Sequence, residues 1–199
     1  MTISEQIIAA LQTSGNPEKA AHLSHFFKTG KGQYGEGDLF LGVTVPAQRI
    51  IAKKYNQAGF PVLQELIASP WHEVRLTGLL ILVNQFEKNK DEHFRKSCVD
   101  FYLAQTAYIN NWDLVDLTCY KLLGVWLVDK NRQLLYQLAT SSNMWEQRIA
   151  IVTCMHFVRQ GDFKDCLAIA DLLLQHPHDL IHKAVGWLLR ETGKKTGRY

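Results

Sequence analysis

No uninterrupted apolar run in this chain is longer than that of Leu79 to Val83, and a segment that short cannot span a bilayer. The N-terminus, Met1-Thr2-Ile3-Ser4-Glu5, has no basic stretch leading into an apolar run, which argues against a secretory signal. The four cysteines, Cys98, Cys119, Cys154 and Cys166, never reach CxxC spacing, and each lies within a helical pattern. They read as reduced, packed thiols of a cytoplasmic protein, and not as zinc ligands. The histidines supply no metal set either. His22 and His25 are spaced i, i+3, and His176-Pro177-His178 marks a turn without a further partner. Cys154 and His156 stand two apart on a helix and so point away from each other, which removes a Cys-His nucleophile. An excess of one charge is missing too, since the formal net charge is only +3.

What is present is helical periodicity in almost every segment of a 199-residue chain, long enough for one domain with a substantial core. At 47% hydrophobic and 21% charged, the composition is that of an ordinary soluble globular protein. Thr2-Ile3-Ser4-Glu5 is a capping box ahead of Ile7, Ile8 and Leu11. Asn16 caps a second helix with Pro17 at its first position, carrying Ala20, Leu23, Phe26 and Phe27. Pro46 and Pro61 open two more, Ser69-Pro70 begins a stronger one through Val74, Leu79, Leu82 and Val83, and Asn143 with Glu146 forms another box-like cap. No strand-turn-strand pattern appears, so the expected class is all-α.

The helix starts also recur. Trp71-His72-Glu73-Val74-Arg75, Trp112 to Asp116, Trp145-Glu146-Gln147-Arg148 and Asp179-Leu180-Ile181-His182 follow one another at intervals of 41, 33 and 34 residues. That range suits HEAT-like helix pairs, which share a continuous core and curve into a concave surface; an irregular helical bundle is the alternative. The positive charge is clustered. Arg49, Lys53 and Lys54 form one acid-free group, and Lys183, Arg190, Lys194, Lys195 and Arg198 form another opposed only by Glu191. Such groups suit phosphates or simply solvated helix faces.

One segment departs from the helical pattern. Lys28 to Pro46 holds five glycines, at positions 30, 32, 35, 37 and 42. It lacks the Gly-Lys-Ser/Thr of a nucleotide-binding loop and follows no strand. Its basic residues and exposed amides suit a phosphate backbone, and a plain connector reads equally well.

The stretch Asn110-Asn111-Trp112-Asp113-Leu114-Val115-Asp116 carries the candidate chemistry. Asn111 is a good N-cap, and Trp112 and Asp116 fall four apart on one helical face. The plainer assignment puts Trp112 in the core, Asp113 on the helix dipole and Asp116 in solvent. Beyond this stretch, Trp145 and Arg148 stand one turn apart, and Gly186 beside Trp187 leaves room for close approach.

Taken in order, these segments resemble a known family. Phe26-Phe27-Lys28, Phe40-Leu41-Gly42-Val43 with Pro46 and Arg49, Trp112 to Asp116, Trp145 to Arg148 and His182 to Glu191 are similar to the AlkD-like DNA alkylation repair proteins, HEAT-like-repeat DNA glycosylases. The resemblance covers nearly the whole of residues 1–199, read as one domain. It implies a right-handed all-α solenoid of HEAT-like helix pairs with a concave basic face. It also implies hydrolysis of the N-glycosidic bond of positively charged N3- and N7-alkylated purines in duplex DNA, leaving an abasic site. Asp116 would be the catalytic carboxylate, with Trp112 and Trp187 flanking the damaged nucleotide. Arg148, Thr44, Arg49, Phe26, Lys183 and Arg190 would bind DNA. No metal or organic cofactor is expected, and the protein would act as a cytoplasmic monomer on double-stranded DNA, with no membrane involvement. The resemblance further implies that the lesion is read through the backbone while still stacked, and not after extrusion.

Three departures stand out. Phe26 occupies a position that is tyrosine in some relatives, and Val45 one that is hydroxylated in some. The sequence ends at Lys194-Lys195-Thr196-Gly197-Arg198-Tyr199, where relatives carry about one more helical pair at the end of the array. The competing readings are a HEAT-repeat DNA- or protein-binding scaffold that does not cut and, more remotely, an enzyme for a small molecule with a deep closed pocket away from Trp112.

Overall fold

In a computed structural model, which describes residues 1–197, the described residues form helices and no strand. A lone β-bridge joins Leu39 to Trp71. The chain divides into two compact units, Met1–Leu114 and a second beginning at Val115.

In the first unit the local signals act where expected. Helix α1 (Ile3–Thr13) starts at Thr2, whose hydroxyl accepts from Glu5 N–H while the Glu5 carboxylate accepts from Thr2 N–H, a complete capping box. Asn16 caps α2 (Pro17–Phe26) through Lys19 N–H. That helix has no buried residue of its own; Phe27, just past its end, is the one that enters the core, and Phe26 remains 54% exposed. Pro46 and Pro61 sit in the first turns of α3 (Val45–Lys54) and α4 (Phe60–Ile67), where a missing N–H costs nothing.

Helix α5 (His72–Lys88) is the centre of this unit. Every residue from His72 to Val83 is buried, and α3 and α4 pack against it. Each fully buried Leu, Ile or Val contributes about 1.5–3 kcal/mol, so the apolar stretch that is too short for a membrane is the core instead. Gly78 sets the α4–α5 distance, since a Cβ there would lie 3.0 Å from Leu66 Cβ and 3.1 Å from Ile67 Cγ1. Helix α6 (Glu92–Ala104), capped by Asp91, and a 3₁₀ turn (Thr106–Tyr108) lead to α7 (Trp112–Asp116).

The second unit continues through a π turn at Tyr120–Gly124. Gly124 is needed there: a Cβ would come within 2.5 Å of His156 Cβ. Helices α8 (Gln133–Ala139), α9 (Met144–Thr153), α10 (Met155–Arg159), α11 (Lys164–Leu173) and α12 (Asp179–Thr196) follow. Helix α9 packs on α8 and α12, and α11 on α12. Asn143 caps α9 through Trp145 N–H, as expected, but Glu146 does not close the box. Its carboxylate takes the Ser141 hydroxyl at 2.5 Å. Arg132 pins the second unit from inside. It pairs with Asp162 (2.6 Å) and Asp165 (2.7 Å) and lies 3.7 Å over the Phe157 ring.

The four recurring starts open helices α5, α7, α9 and α12, at or within a residue of the predicted positions. Arg198, from the second basic cluster, and Tyr199 lie outside the described residues.

Candidate functional site

In the first unit, the glycine-rich segment is a loop stitched to the start of α5. Leu39 N–H donates to Pro70 O at 3.1 Å and His72 N–H to Leu39 O at 2.8 Å. The N–H groups of Leu41, Gly42 and Val43 donate to the buried Glu73 carboxylate at 3.0, 2.8 and 3.2 Å. The expectation that the loop's amides face a phosphate is therefore corrected at these three, because Glu73 already supplies the anion. Gly42 makes the turn with φ +79°, and a Cβ there would lie 2.1 Å from Asn16 O. Only glycine fits both the dihedral and the space.

Asp38 begins a second set of ties, all buried. Its Oδ1 accepts from Arg75 Nη2 at 2.7 Å, and its Oδ2 faces His72 Nδ1 at 3.1 Å and Asn111 Nδ2 at 3.3 Å. The other imidazole nitrogen, Nε2, faces Asp113 Oδ2 at 2.8 Å. Asp113 is thus a buried partner of His72 and not only a complement to the α7 dipole. Burial, the largest influence on His72, opposes its charge, yet the Asp113 charge and the hydrogen bonds from Asp113 and Asp38 together raise its pKa to about 9. Burial likewise pushes Asp38 upward, but His72 and Arg75 hold it below the usual carboxylate value.

Trp112 sits within this polar frame, half-buried. Its N–H donates to Asn111 Oδ1 at 2.8 Å, which bears out the capping expectation for Asn111 in part. Its ring stacks on Phe27 (5.2 Å, 17°), and Phe26 meets it edge-on at 6.0 Å. Phe27 in turn stacks on Phe40 and lies 4.8 Å from the His72 ring. Thr44 is the exposed N-cap of α3 and makes no side-chain cap bond, and Arg49 is exposed on the same helix.

In the second unit, Asp116 and Arg148 come together. Arg148 Nε donates to Asp116 Oδ1 at 2.9 Å and Nη2 to Oδ2 at 2.7 Å, a bidentate pair. Arg148 Nη1 donates to Leu180 O at 2.5 Å. The Asp116 side chain is 15% exposed and that of Arg148 6%, so the guanidinium presents almost no surface for a direct phosphate contact. Trp187 is half-buried on α12. Lys183 and Arg190 are exposed on that helix, with Lys183 paired to Asp179 at 2.8 Å. Trp145 is buried in α9.

Several expected non-participants are placed as well. All four cysteines are free and buried, and burial pushes each thiol up, Cys98 to about 11. His22 and His25 are exposed. A cleft of about 560 Å³ in the first unit is lined by Asn56, Phe60, Gln85, Lys88, Lys90, Phe94 and their neighbours, and no expected site residue borders it. Among the described residues no helix is long and apolar enough to cross a membrane.

A family model described as DNA alkylation repair enzyme matches residues 7–198. The chain belongs to the DNA alkylation repair enzyme family. Among solved structures, a predicted DNA alkylation repair enzyme from Enterococcus faecalis is similar, with a TM-score of 0.66 and 19% identity over 92% of this chain and 85% of that one. At that identity the likeness speaks for the fold alone. No curated protein matches. Membership in the alkylation repair family gives the chain a role in repairing alkylated DNA. Sequence reading singled out Trp112, Asp116 and Arg148, but not the buried ties of Asp38, His72 and Glu73. Asp38, His72 and Glu73 carry a signal only in hindsight: a His-Glu pair at a recurring helix start, facing a glycine loop 30 residues upstream.

Proposed function

We propose that this protein is a DNA glycosylase that releases positively charged N3- or N7-alkylated purines from duplex DNA and leaves an abasic site, acting as a cytoplasmic monomer. The observation that carries the reading, within the alkylation repair family, is a partly exposed carboxylate, Asp116, whose two oxygens are oriented by a buried guanidinium. An alkylated purine already bears a positive charge. When its C1′–N bond breaks, the bonding pair neutralises the ring, so no strong general acid is required. The sugar left behind is oxocarbenium-like. A fixed carboxylate stabilises that cation and orients the water that adds to C1′, and the water's surplus proton passes to solvent.

Arg148 serves this step as a positioning residue. By holding both oxygens it fixes the carboxylate plane. Trp112 and Trp187 contribute aromatic faces to the cationic nucleotide, at about 0.5–2 kcal/mol each. Thr44, Arg49, Phe26, Lys183 and Arg190 are exposed and supply the DNA contacts in this reading.

The deciding experiment is incubation with N-methylated duplex DNA, measuring free 7-methylguanine released by the protein and by Asp116→Asn. Expected is loss of release by the variant with DNA binding and the folded state retained, at a melting temperature lowered because the buried Arg148 loses its charged partner. Release by neither would leave a DNA-binding scaffold, and equal release by both would leave Asp116 only as an ion-pair partner and move the chemistry to another group.

A further inference from the structure

Both ring nitrogens of His72 face carboxylate oxygens, Nδ1 toward Asp38 at 3.1 Å and Nε2 toward Asp113 at 2.8 Å. A carboxylate only accepts hydrogen bonds, so this geometry is satisfied in full only when both nitrogens carry a proton. A neutral imidazole has one N–H and would turn a lone pair toward the second carboxylate. Charge gives the same answer. The groups facing the ring are Asp38 from the loop, Asp113 from α7 and Arg75 from α5; Glu73, next in the chain, is turned to the loop amides. Two carboxylates against one guanidinium leave a buried negative charge that a cationic imidazole cancels.

The same ties bracket one residue. Asn111, before Trp112, bonds Asp38 and caps the Trp112 N–H, while Asp113, after it, bonds His72. Phe27 stacks on the Trp112 ring, and its own ring centroid lies 4.8 Å from that of His72. Backbone and ring of Trp112 are thus held by groups that all meet at one imidazole.

We propose that His72, held doubly protonated between Asp38 and Asp113, is the positioning residue that fixes Trp112 for the alkylated nucleotide. The role toward the nucleotide rests on the glycosylase reading; the latch itself does not. Its pKa of about 9 places the release of the latch in mildly alkaline solution. Above that point one carboxylate loses its donor, and the Asn111–Asp113 segment is freed to shift the indole.

The test is NMR of the full chain with ¹⁵N-labelled histidine and tryptophan, the Trp112 indole being assigned by its loss in Trp112→Phe. At pH 7 His72 should show two protonated ring nitrogens. On raising the pH, its titration near 9 and a shift of the Trp112 indole should share one midpoint. A neutral-ring signature at pH 7, or an indole unmoved while His72 titrates, would overturn the latch. Neither readout requires base release, so failure of the glycosylase reading is seen separately.

Single-turnover release by His72→Gln, which keeps one amide donor, covers the functional half. Release should slow on the order of tenfold to a hundredfold, the scale on which displaced positioning groups cost rate. The alkaline fall in rate should disappear with it, while affinity for undamaged duplex stays unchanged. An unchanged rate and pH profile in a folded variant would remove the functional role and leave a structural latch.

Discussion

Replacing Arg148 by Met removes a guanidinium that is buried and triply engaged, at roughly constant side-chain length. Two groups lose a partner: the Asp116 carboxylate, 15% exposed, and the buried Leu180 carbonyl. Breaking a buried ion pair from one side costs about 3–5 kcal/mol, and the lower end applies because Asp116 can draw on water from its exposed edge. At about 2–4 °C per kcal/mol for a chain of this length, the melting temperature should fall by about 6–12 °C. A double-mutant cycle with Asp116→Asn isolates the pair, with a coupling of about 1–3 kcal/mol expected in thermal or urea unfolding. Binding of undamaged duplex across a salt series then separates two roles for the arginine. With its guanidinium turned inward, loss of Arg148 should leave the salt slope unchanged. Arg49→Ala, which removes an exposed cation, should reduce the slope by about one. A coupling near zero, or a slope that falls as much for Arg148 as for Arg49, would refute the inward assignment and restore the direct phosphate contact that the sequence resemblance implies.

Two further outcomes follow from the loop and its anchor. Gly42→Ala must place a Cβ 2.1 Å from Asn16 O at φ +79°, and should destabilise by about 2 kcal/mol or more in urea unfolding; a change under about 0.5 kcal/mol would show that the loop relaxes freely. His72, with its folded pKa raised from 6.5 to about 9, contributes stability that is fully present below pH 6.5 and is lost as pH rises through 9. The full span is about 3 kcal/mol, measured as the fall in unfolding free energy between pH 6 and pH 10, and His72→Gln should flatten it.

The helix starts were legible because their causes are local. Thr2, Asn16, Pro17 and Asn143 act within one turn of chain, so a reader of adjacent residues sees the whole interaction. The contact of Phe26 with Trp112, 86 residues downstream, could not be read from the apolar pattern of α2. Glu73 shows the limit more sharply. Among neighbours it is an acid in the first turn of α5, a good place for one on dipole grounds alone. Its actual partners are three amides about 30 residues earlier, and no periodicity encodes that.

The contrast between Asp113 and Asp116 carries this furthest. Both are aspartates of one short helix, and the plainer reading of the sequence puts Asp113 on the dipole and Asp116 in solvent. The Asp113 side chain ends 9% exposed with an imidazole across from it, in the unit that holds the glycine loop. Asp116 retains an exposed edge and takes a guanidinium on both oxygens. A carboxylate committed to a buried imidazole holds a frame in place and is poorly placed to meet a sugar cation. One that is oriented from behind and open in front can do so. In the proposed reading, accessibility and the direction of the paired charge, not residue type or position in a motif, place the chemistry on Asp116 and the scaffolding on Asp113. Asp113→Asn should accordingly act through Trp112 and the His72 titration, whereas Asp116→Asn should act on base release with the His72 titration intact.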